Sequence, residues 1–541
     1  MTSSPDDYSK TKRQRIGLWS GPVLFVLIQL LLLSDLIHSE AMSPAAWQVA
    51  ALGLWMATWW ISEAIPIPAT ALLPLIVLPL TGVADIRQAA APYANPLIFL
   101  FMGGFIIAVA MQRWNLHRRI ALDIINRVGT SPRAIVLGFM LASGFLSLWV
   151  SNTATALMML PIAMSVIALT TSHVDEHASG SRNFAIALLL GVAYGCNIGG
   201  LGTLIGTPPN AFMAAYLLES HGVTIGFAQW MLLGLPIVAV GLPLAYLLLT
   251  RAIYPLAAEN LIGGQALIDQ ERDQLGPLSS SEARVALIFA LTATLWITRP
   301  WLQNWIPGLS DAGIAMAAAL ALFITPAGNR HGRALLTWPD LRDLPWGILL
   351  LFGGGLSLAS AVGQSGLDEA IGQAVVSLDA WPTLIILALA VTIVIFLTEI
   401  SSNTATAAAF LPILAAAAIG LGYSPAFFAI PAALAASCAF MLPVATPPNA
   451  IVYSSGLLRI ETMARAGIWL NLIFILLILG AAYSLMLWVF GIGIGFWFFL
   501  VFGVFESKAV VRIASQFNIK GFRSHVRSVT LKGFLRYAQT A

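Results

Sequence analysis

The sequence predicts an all-α polytopic membrane protein, with about eleven transmembrane helices and two re-entrant hairpins arranged as an inverted repeat. Three observations carry that prediction. The 541-residue chain is 59% hydrophobic and only 9% charged, against roughly 25% charged residues in a water-soluble domain. Continuous apolar runs such as 17–37, 46–61 and 468–487 reach or approach the about 20 helical residues that cross a bilayer core. A polar pentapeptide, Ser-Asn-Thr-Ala-Thr, occurs twice deep inside such runs, first at Ser151 and again at Ser402. Because the runs are continuously apolar rather than alternating, a β-barrel is disfavoured.

Taken in order, residues 1–16 are polar and basic and read as a cytoplasmic N-terminal tail. The apolar run behind them is too long for a signal-peptide core and lacks a clear small-residue cleavage site. The first half covers 17–255, with spans at 17–37, 44–62, 66–82 and 97–114, a hairpin at 134–171, and helices at 183–218 and 226–255. A polar cytoplasmic linker, 256–283, follows. The second half covers 284–490, with helices at 284–306, 309–326 and 345–364, a hairpin at 381–421, and helices at 424–455 and 466–490. Residues 491–541 form an atypical basic extension, carrying seven basic residues and one acidic from Glu506 onward. No function is assigned to it.

Basic residues test the topology, because Lys and Arg favour cytoplasmic loops. If each pentapeptide block enters and leaves on one side, with the N-terminus inside, eighteen Lys and Arg residues fall in cytoplasmic segments. Only Arg87 and Arg299 fall outside. Treating either block as a simple crossing scrambles that count. The block around Ser151 therefore enters from the cytoplasm and the block around Ser402 from outside. An inner, plasma membrane is the expected location.

The duplication is wider than the pentapeptide. "LFMGGF" at Leu100 matches "LFGGGL" at Leu351, and "GTPPNAF" from Gly206 matches "ATPPNAI" from Ala445. The same order of motifs in halves of opposite orientation is a frequent plan of secondary transporters, whose substrate site lies at the repeat interface near mid-membrane.

Ser, Asn and Thr are preferred N-caps, so each Ser-Asn-Thr is expected to end one half-helix and begin the next. In each Thr-Pro-Pro-Asn the threonine can cap, and the proline after it suits a first helical turn. Four broken-helix points result, each with free N–H groups that attract anions and free carbonyls that attract cations. Residues 134–171 and 183–218 contain no Asp, Glu, Lys or Arg, and 381–421 contains only Glu399. A bound dianion would thus lack a neighbouring positive side chain, and desolvating it costs several kcal/mol per charge. A cation held by the exposed carbonyls supplies the missing charge. Glu399 reads either as a cation ligand or as a hydrogen-bonded helix carboxylate. Cys196 and Cys438 lie in apolar segments and read as buried structural thiols. The basic stretch Arg113–Arg133 reads as an interfacial amphipathic helix whose arginines meet lipid.

At these residues the chain resembles the divalent anion:sodium symporter family, the sodium-coupled carriers of dicarboxylates, citrate and sulfate. The match rests on Ser151-Asn152-Thr153, Ser402-Asn403-Thr404, Gly206-Thr207-Pro208-Pro209-Asn210 and Thr446-Pro447-Pro448-Asn449, with "WWISEAIPIPATALLPL" from Trp59 as an early signature. It spans roughly 45–490. The resemblance implies a homodimer working as an elevator-type transporter, in which a domain carrying both hairpins moves against a fixed one. It implies that Asn152, Thr153, Asn403 and Thr404 hold the substrate, helped by Thr207, Thr446 and Pro447. A first Na+ site would use Ser147, Ser151, Asn152 and Gly206, and a second Thr398, Ser401, Asn403 and Ala445. The basic C-terminal extension departs from the family's usual ending.

The leading expectation is Na+-coupled symport of a C4-dicarboxylate such as succinate, malate or fumarate, with lipid and a second copy of the chain as partners and no nucleic acid. Within the class, a sodium-independent exchanger and a sulfate carrier are the alternatives; outside it, an anion channel. An intramembrane enzyme is disfavoured, since no HExxH or GxGD motif occurs and none of the seven histidines falls in 134–171 or 381–421.

Overall fold

The computed structural model describes residues 10–34, 42–129, 131–171, 179–256, 264–328, 332–342, 344–376 and 380–491. The basic extension lies outside these, apart from Gly491, as do the first nine residues. Among the described residues the only non-helical pairing is one isolated bridge, Pro326 with Ala334. Among the described residues eight helices are long and apolar enough to cross a bilayer, from Lys12–Leu33 to Ile460–Phe490, and six shorter apolar ones accompany them. Large apolar side chains line the outer faces, with Leu80 81% and Ile324 77% exposed. A continuous belt of that kind is excluded in water and is what a bilayer covers.

One group of helices packs through glycines. Lys12–Leu33 lies along Pro44–Ser62, with Gly17 against Ser62 and Gly21 against Trp55. Pro96–Arg113 lies on Asp311–Ile324, where Gly103 meets the Ala315 backbone. Phe101 also packs edge-on against Phe352 of Trp346–Ser365. The prolines of the 66–82 stretch split it into Ile67–Thr70 and Leu73–Thr81.

The second group holds the repeated motifs. The first hairpin is Pro132–Ser147 and Asn152–Thr171; the second is Thr383–Thr398 and Asn403–Gly420. Their entry helices have 16 residues each, about 24 Å at 1.5 Å per residue, short of the roughly 30 Å core. Each is thus too short to cross that core without thinning it, a length compatible with the re-entrant reading. Each hairpin is followed by a broken helix, Ser179–Gly200 with Pro208–His221 in the first half and Ala426–Ala436 with Pro447–Tyr453 in the second. The halves interlock: Pro208–His221 packs on Asn403–Gly420, and Pro447–Tyr453 packs on Asn152–Thr171.

Helix Leu116–Val128 joins the two groups, flanked by two left-handed residues, Asn115 (φ 57°) and Gly129 (φ 118°). It is strongly amphipathic, as expected, but several of its arginines meet protein rather than lipid. Arg118 pairs with Glu271, Arg119 with Glu282 at 3.0 Å, and Asp123 with Arg272 at 3.3 Å. Just outside the helix, Arg113 pairs with Asp340, and Arg133 donates to the Leu256 carbonyl at 2.7 Å. Glu271 and Glu282 lie in the polar linker and Asp340 in the short helix Trp338–Leu341, and nothing in the local pattern around Arg113–Arg133 announces them. Burial alone would raise the Asp340 carboxyl. The Thr337 N–H and hydroxyl, with Arg113 and Arg333, outweigh it and hold the group below the ordinary carboxylate range. Cys196 and Cys438 are free and buried, as expected.

Candidate functional site

The tips of both hairpins and the breaks of both broken helices meet around one cavity of about 660 Å³, within the size range of small-ligand sites. Its wall includes Ser151, Asn152 and Thr153 from the first tip and Ser402, Asn403 and Thr404 from the second. Gly206, Thr207, Ala445, Thr446 and Pro447 come from the breaks. All seven residues assigned to substrate by resemblance line this space. Ser147, Thr398 and Ser401 sit behind the wall, buried.

The local chemistry of the tips follows from their sequence. Ser151 Oγ accepts from the Ala154 N–H at 3.3 Å and starts the return helix of the first hairpin. Ser402 opens the second return helix with extended backbone but without a side-chain cap bond. Thr446 caps Asn449 N at 3.3 Å, whereas Thr207 turns away and meets Ser437 Oγ at 3.3 Å. Both breaks place proline in the first helical turn.

Behind the first tip, oxygen atoms gather, the Gly200 carbonyl among them accepting from Asn210 at 3.1 Å. A Cβ on Gly206 would stand 2.5 Å from the Gly200 carbonyl oxygen and 2.9 Å from that of Ser147. A Cβ on Gly200 would stand 2.9 Å from Asn152 Oδ1 and 3.1 Å from the Gly206 carbonyl oxygen. The buried Ser147 Oγ and Asn152 Oδ1 have no hydrogen-bond partner. The second half repeats the arrangement with Thr398, Asn403, Ala436 and Ala445. The Asn403 carboxamide lies 2.7 Å from Thr398 Oγ1 and 3.3 Å from both the Ala436 and Ala445 carbonyl oxygens. With Nδ2 turned inward it donates to all three. With Oδ1 turned inward it accepts from the Thr398 hydroxyl at 2.7 Å and faces the Ala436 and Ala445 carbonyl oxygens, an acceptor-rich arrangement that suits a cation. Helix C-terminal and unwound carbonyls of this kind hold coupling cations in transporters. Ser401 fits less directly, because its hydroxyl is engaged by the Leu397 carbonyl at 3.0 Å and Thr406 at 2.7 Å.

Three asparagines that the sequence reading left unassigned hold the breaks together. Asn210 donates to the carbonyls of Gly200 at 3.1 Å and Thr203 at 2.9 Å, bridging its own break. Asn449, at the same place in the second motif, donates to Leu442 at 3.0 Å and Ala439 at 3.3 Å. Asn197 crosses between halves, donating to Thr446 Oγ1 at 3.1 Å and Asn449 Oδ1 at 3.2 Å. The repeated asparagine of the two Thr-Pro-Pro-Asn motifs was the available signal for two of them; Asn197 had none.

Among the described residues the wall carries no Lys or Arg, and its single charged member is Glu63, exposed and in a left-handed conformation (φ 51°) at the end of Pro44–Ser62. Glu399 is buried and faces only donors, which bears out the hydrogen-bonded helix carboxylate rather than a ligand pointing into the cavity.

Fold and site together define a multi-pass membrane transporter in which duplicated, broken helices surround a polar cavity. More specifically, residues 18–492 match the family described as the sodium:sulfate symporter transmembrane region, and the chain belongs to that family. It is 44% identical over 500 residues to the sodium-dependent dicarboxylate transporter SdcS of Staphylococcus saprophyticus, covering 91% of this chain and 95% of that one. It is 43% identical over 501 residues to SdcS of Staphylococcus aureus strain USA300, covering 90% and 95%. Among solved structures it is similar to the Alcanivorax borkumensis YdaH transporter, with TM-score 0.56 and 15% identity over 87% of this chain and 98% of that one. Neisseria gonorrhoeae MtrF follows with TM-score 0.52 and 14% identity, covering 77% and 85%. At such identities the likeness is one of fold.

Proposed function

We propose that the protein is a secondary active transporter that symports Na+ with a divalent anion, a C4-dicarboxylate such as succinate, malate or fumarate. The observation that carries this reading is a polar cavity whose described lining holds no positive side chain, backed on both sides by clusters of oxygen acceptors. The names of the 43–44% identical relatives support both the ion and the substrate class.

In this reading the substrate carboxylates accept hydrogen bonds from Asn152, Thr153, Asn403 and Thr404, with Thr207, Thr446 and Pro447 at the helix N-termini beside them. Na+ sits among Ser147, Ser151, Asn152 and Gly206 in the first half, and among Thr398, Ser401, Asn403 and Ala445 in the second, Ser401 acting through its backbone. The Gly200 and Ala436 carbonyls complete the two sets. Each cation offsets part of the dianion's charge and fixes the asparagine that holds it, so neither ion binds well alone. Glu63, Pro345 and Val444 line the cavity, Val444 being 76% exposed. In this reading the N-terminus and the loop carrying Arg342 are cytoplasmic, the cavity opens to that side as an inward-facing state of an elevator cycle, and the protein works as a homodimer in a bacterial inner membrane.

Uptake of labelled succinate into proteoliposomes, with and without an imposed inward Na+ gradient, tests the proposal. Accumulation driven by the gradient is expected. Equal uptake in both conditions refutes symport, uptake only against internal dicarboxylate means exchange, and flux without accumulation means a channel.

A further inference from the structure

The two halves differ most in chemistry at the residue after the hairpin's entry helix. In the first half it is Leu148, whose backbone carbonyl accepts a bond from the Thr203 hydroxyl. In the second it is Glu399, 3% exposed, whose side chain reaches the segment between the two pieces of the broken helix. Oε1 accepts from Phe440 N at 2.7 Å, Met441 N at 3.0 Å and Asn471 Nδ2 at 2.8 Å. Oε2 accepts from Met441 N and Leu442 N, both at 3.1 Å. Every one of these partners is a donor, and only the ionised carboxylate accepts on all sides. No Lys or Arg pairs with it among the described residues. Backbone dipoles offset part of the cost of burying such a charge, and a nearby cation supplies the rest.

That cation has an obvious place. Thr398 precedes Glu399 directly, and Ala445 follows Leu442 by three residues, so the carboxylate grips the chain segment that brings the second oxygen cluster together. We propose that Glu399 is the fixed countercharge of the second cation site and the positioning residue for its carbonyls, making that site the tighter of the two. The inference rests on the Na+-coupled reading above. The first half, with neutral Leu148 at this position, has no such charge, so the two cation sites are inequivalent despite their matching oxygen sets. A unit charge on the order of 10 Å from a cation, at an effective dielectric of about 20, changes its affinity about tenfold.

The experiment is a Na+ titration of labelled succinate uptake by reconstituted full-length protein, with choline replacing Na+. Glu399→Gln is expected to raise the Na+ half-saturation about tenfold. Glu399→Asp keeps the charge and is expected to hold the half-saturation near wild type even where its rate falls. Asn471→Ala removes one donor but no charge and is expected not to raise it. A folded Glu399→Gln protein with unshifted Na+ dependence overturns the proposal, as does an equal shift in Asn471→Ala. Should Glu399→Gln fail to fold, a tenfold rise in Glu399→Asp overturns it and an unshifted value upholds it. Wild-type uptake indifferent to Na+ removes the underlying reading. Na+-dependent wild-type uptake with an unshifted Glu399→Gln removes this inference alone.

Discussion

Gly206→Ala places a methyl group where the first oxygen cluster converges. The added Cβ would lie 2.5 Å from the Gly200 carbonyl oxygen and 2.9 Å from that of Ser147. Both are backbone atoms held in packed helices, so neither can swing aside. The φ of Gly206 is not in the left-handed region, so the effect is steric and not conformational. Overpacking of this kind costs about 1–3 kcal/mol, and a cost borne by the cation-bound state corresponds to a loss of about five- to 150-fold in Na+ affinity. Ala445 already carries a methyl at the matching position, in a break that runs from 437 to 446 rather than from 201 to 207, so Ala445→Gly is expected to be mild. Gly363→Ala is the internal control, since that position lies in a helix with nothing within 4 Å of the new Cβ. The assay is the Na+-dependent rise in melting temperature of the purified protein, alongside Na+-dependent uptake. A Gly206→Ala protein with wild-type Na+ dependence would refute the assignment of this cluster to a cation.

Asn152→Ala or Asn403→Ala is expected to abolish uptake while leaving the protein inserted and folded, as judged by its melting temperature; near-normal uptake in either counts against the site. Asn449→Ala removes two donated bonds and one accepted bond. At about 0.6–1.7 kcal/mol per bond within a membrane protein, the loss is about 2–5 kcal/mol, read as a lowered midpoint in mixed-micelle SDS unfolding. Asp340 titrates below the ordinary carboxylate range in the folded protein because the bonds from Thr337 and the charges of Arg113 and Arg333 outweigh its burial. Its contribution is therefore present at neutral pH and is lost as pH falls through and below about 4. Asp340→Asn is expected to flatten that acid limb of the melting profile, whereas an unchanged profile would show that the Arg113–Asp340–Arg333 cluster contributes nothing.

The hairpins were legible because their signal is local. A capping Ser-Asn-Thr inside an apolar run has few structural outcomes, and both predicted blocks, 134–171 and 381–421, end within two residues of the observed helices. The lining of the cavity was legible for a different reason: each motif occurs twice, and the second copy shows which polar residues matter to the arrangement. Contacts made across the repeat were not legible. Asn197 reaches Thr446 from 249 residues away, and no spacing rule connects them. Glu399 was visible as an isolated charge, but its donors are main-chain amides at 440–442, which carry no side-chain signal, and the distant Asn471. The arginines of Leu116–Val128 were assigned to lipid because the amphipathic pattern alone cannot distinguish a headgroup from a carboxylate on the packed linker helix.

The central claim is that the anion site is incomplete without its cations. Binding of succinate to the purified protein, measured by calorimetry in NaCl and again in choline chloride, tests it most directly. Succinate is expected to bind in Na+ and not detectably in choline, and Na+ is expected to bind more tightly when succinate is present, since the coupling is reciprocal. Succinate binding of equal affinity in both salts would contradict it.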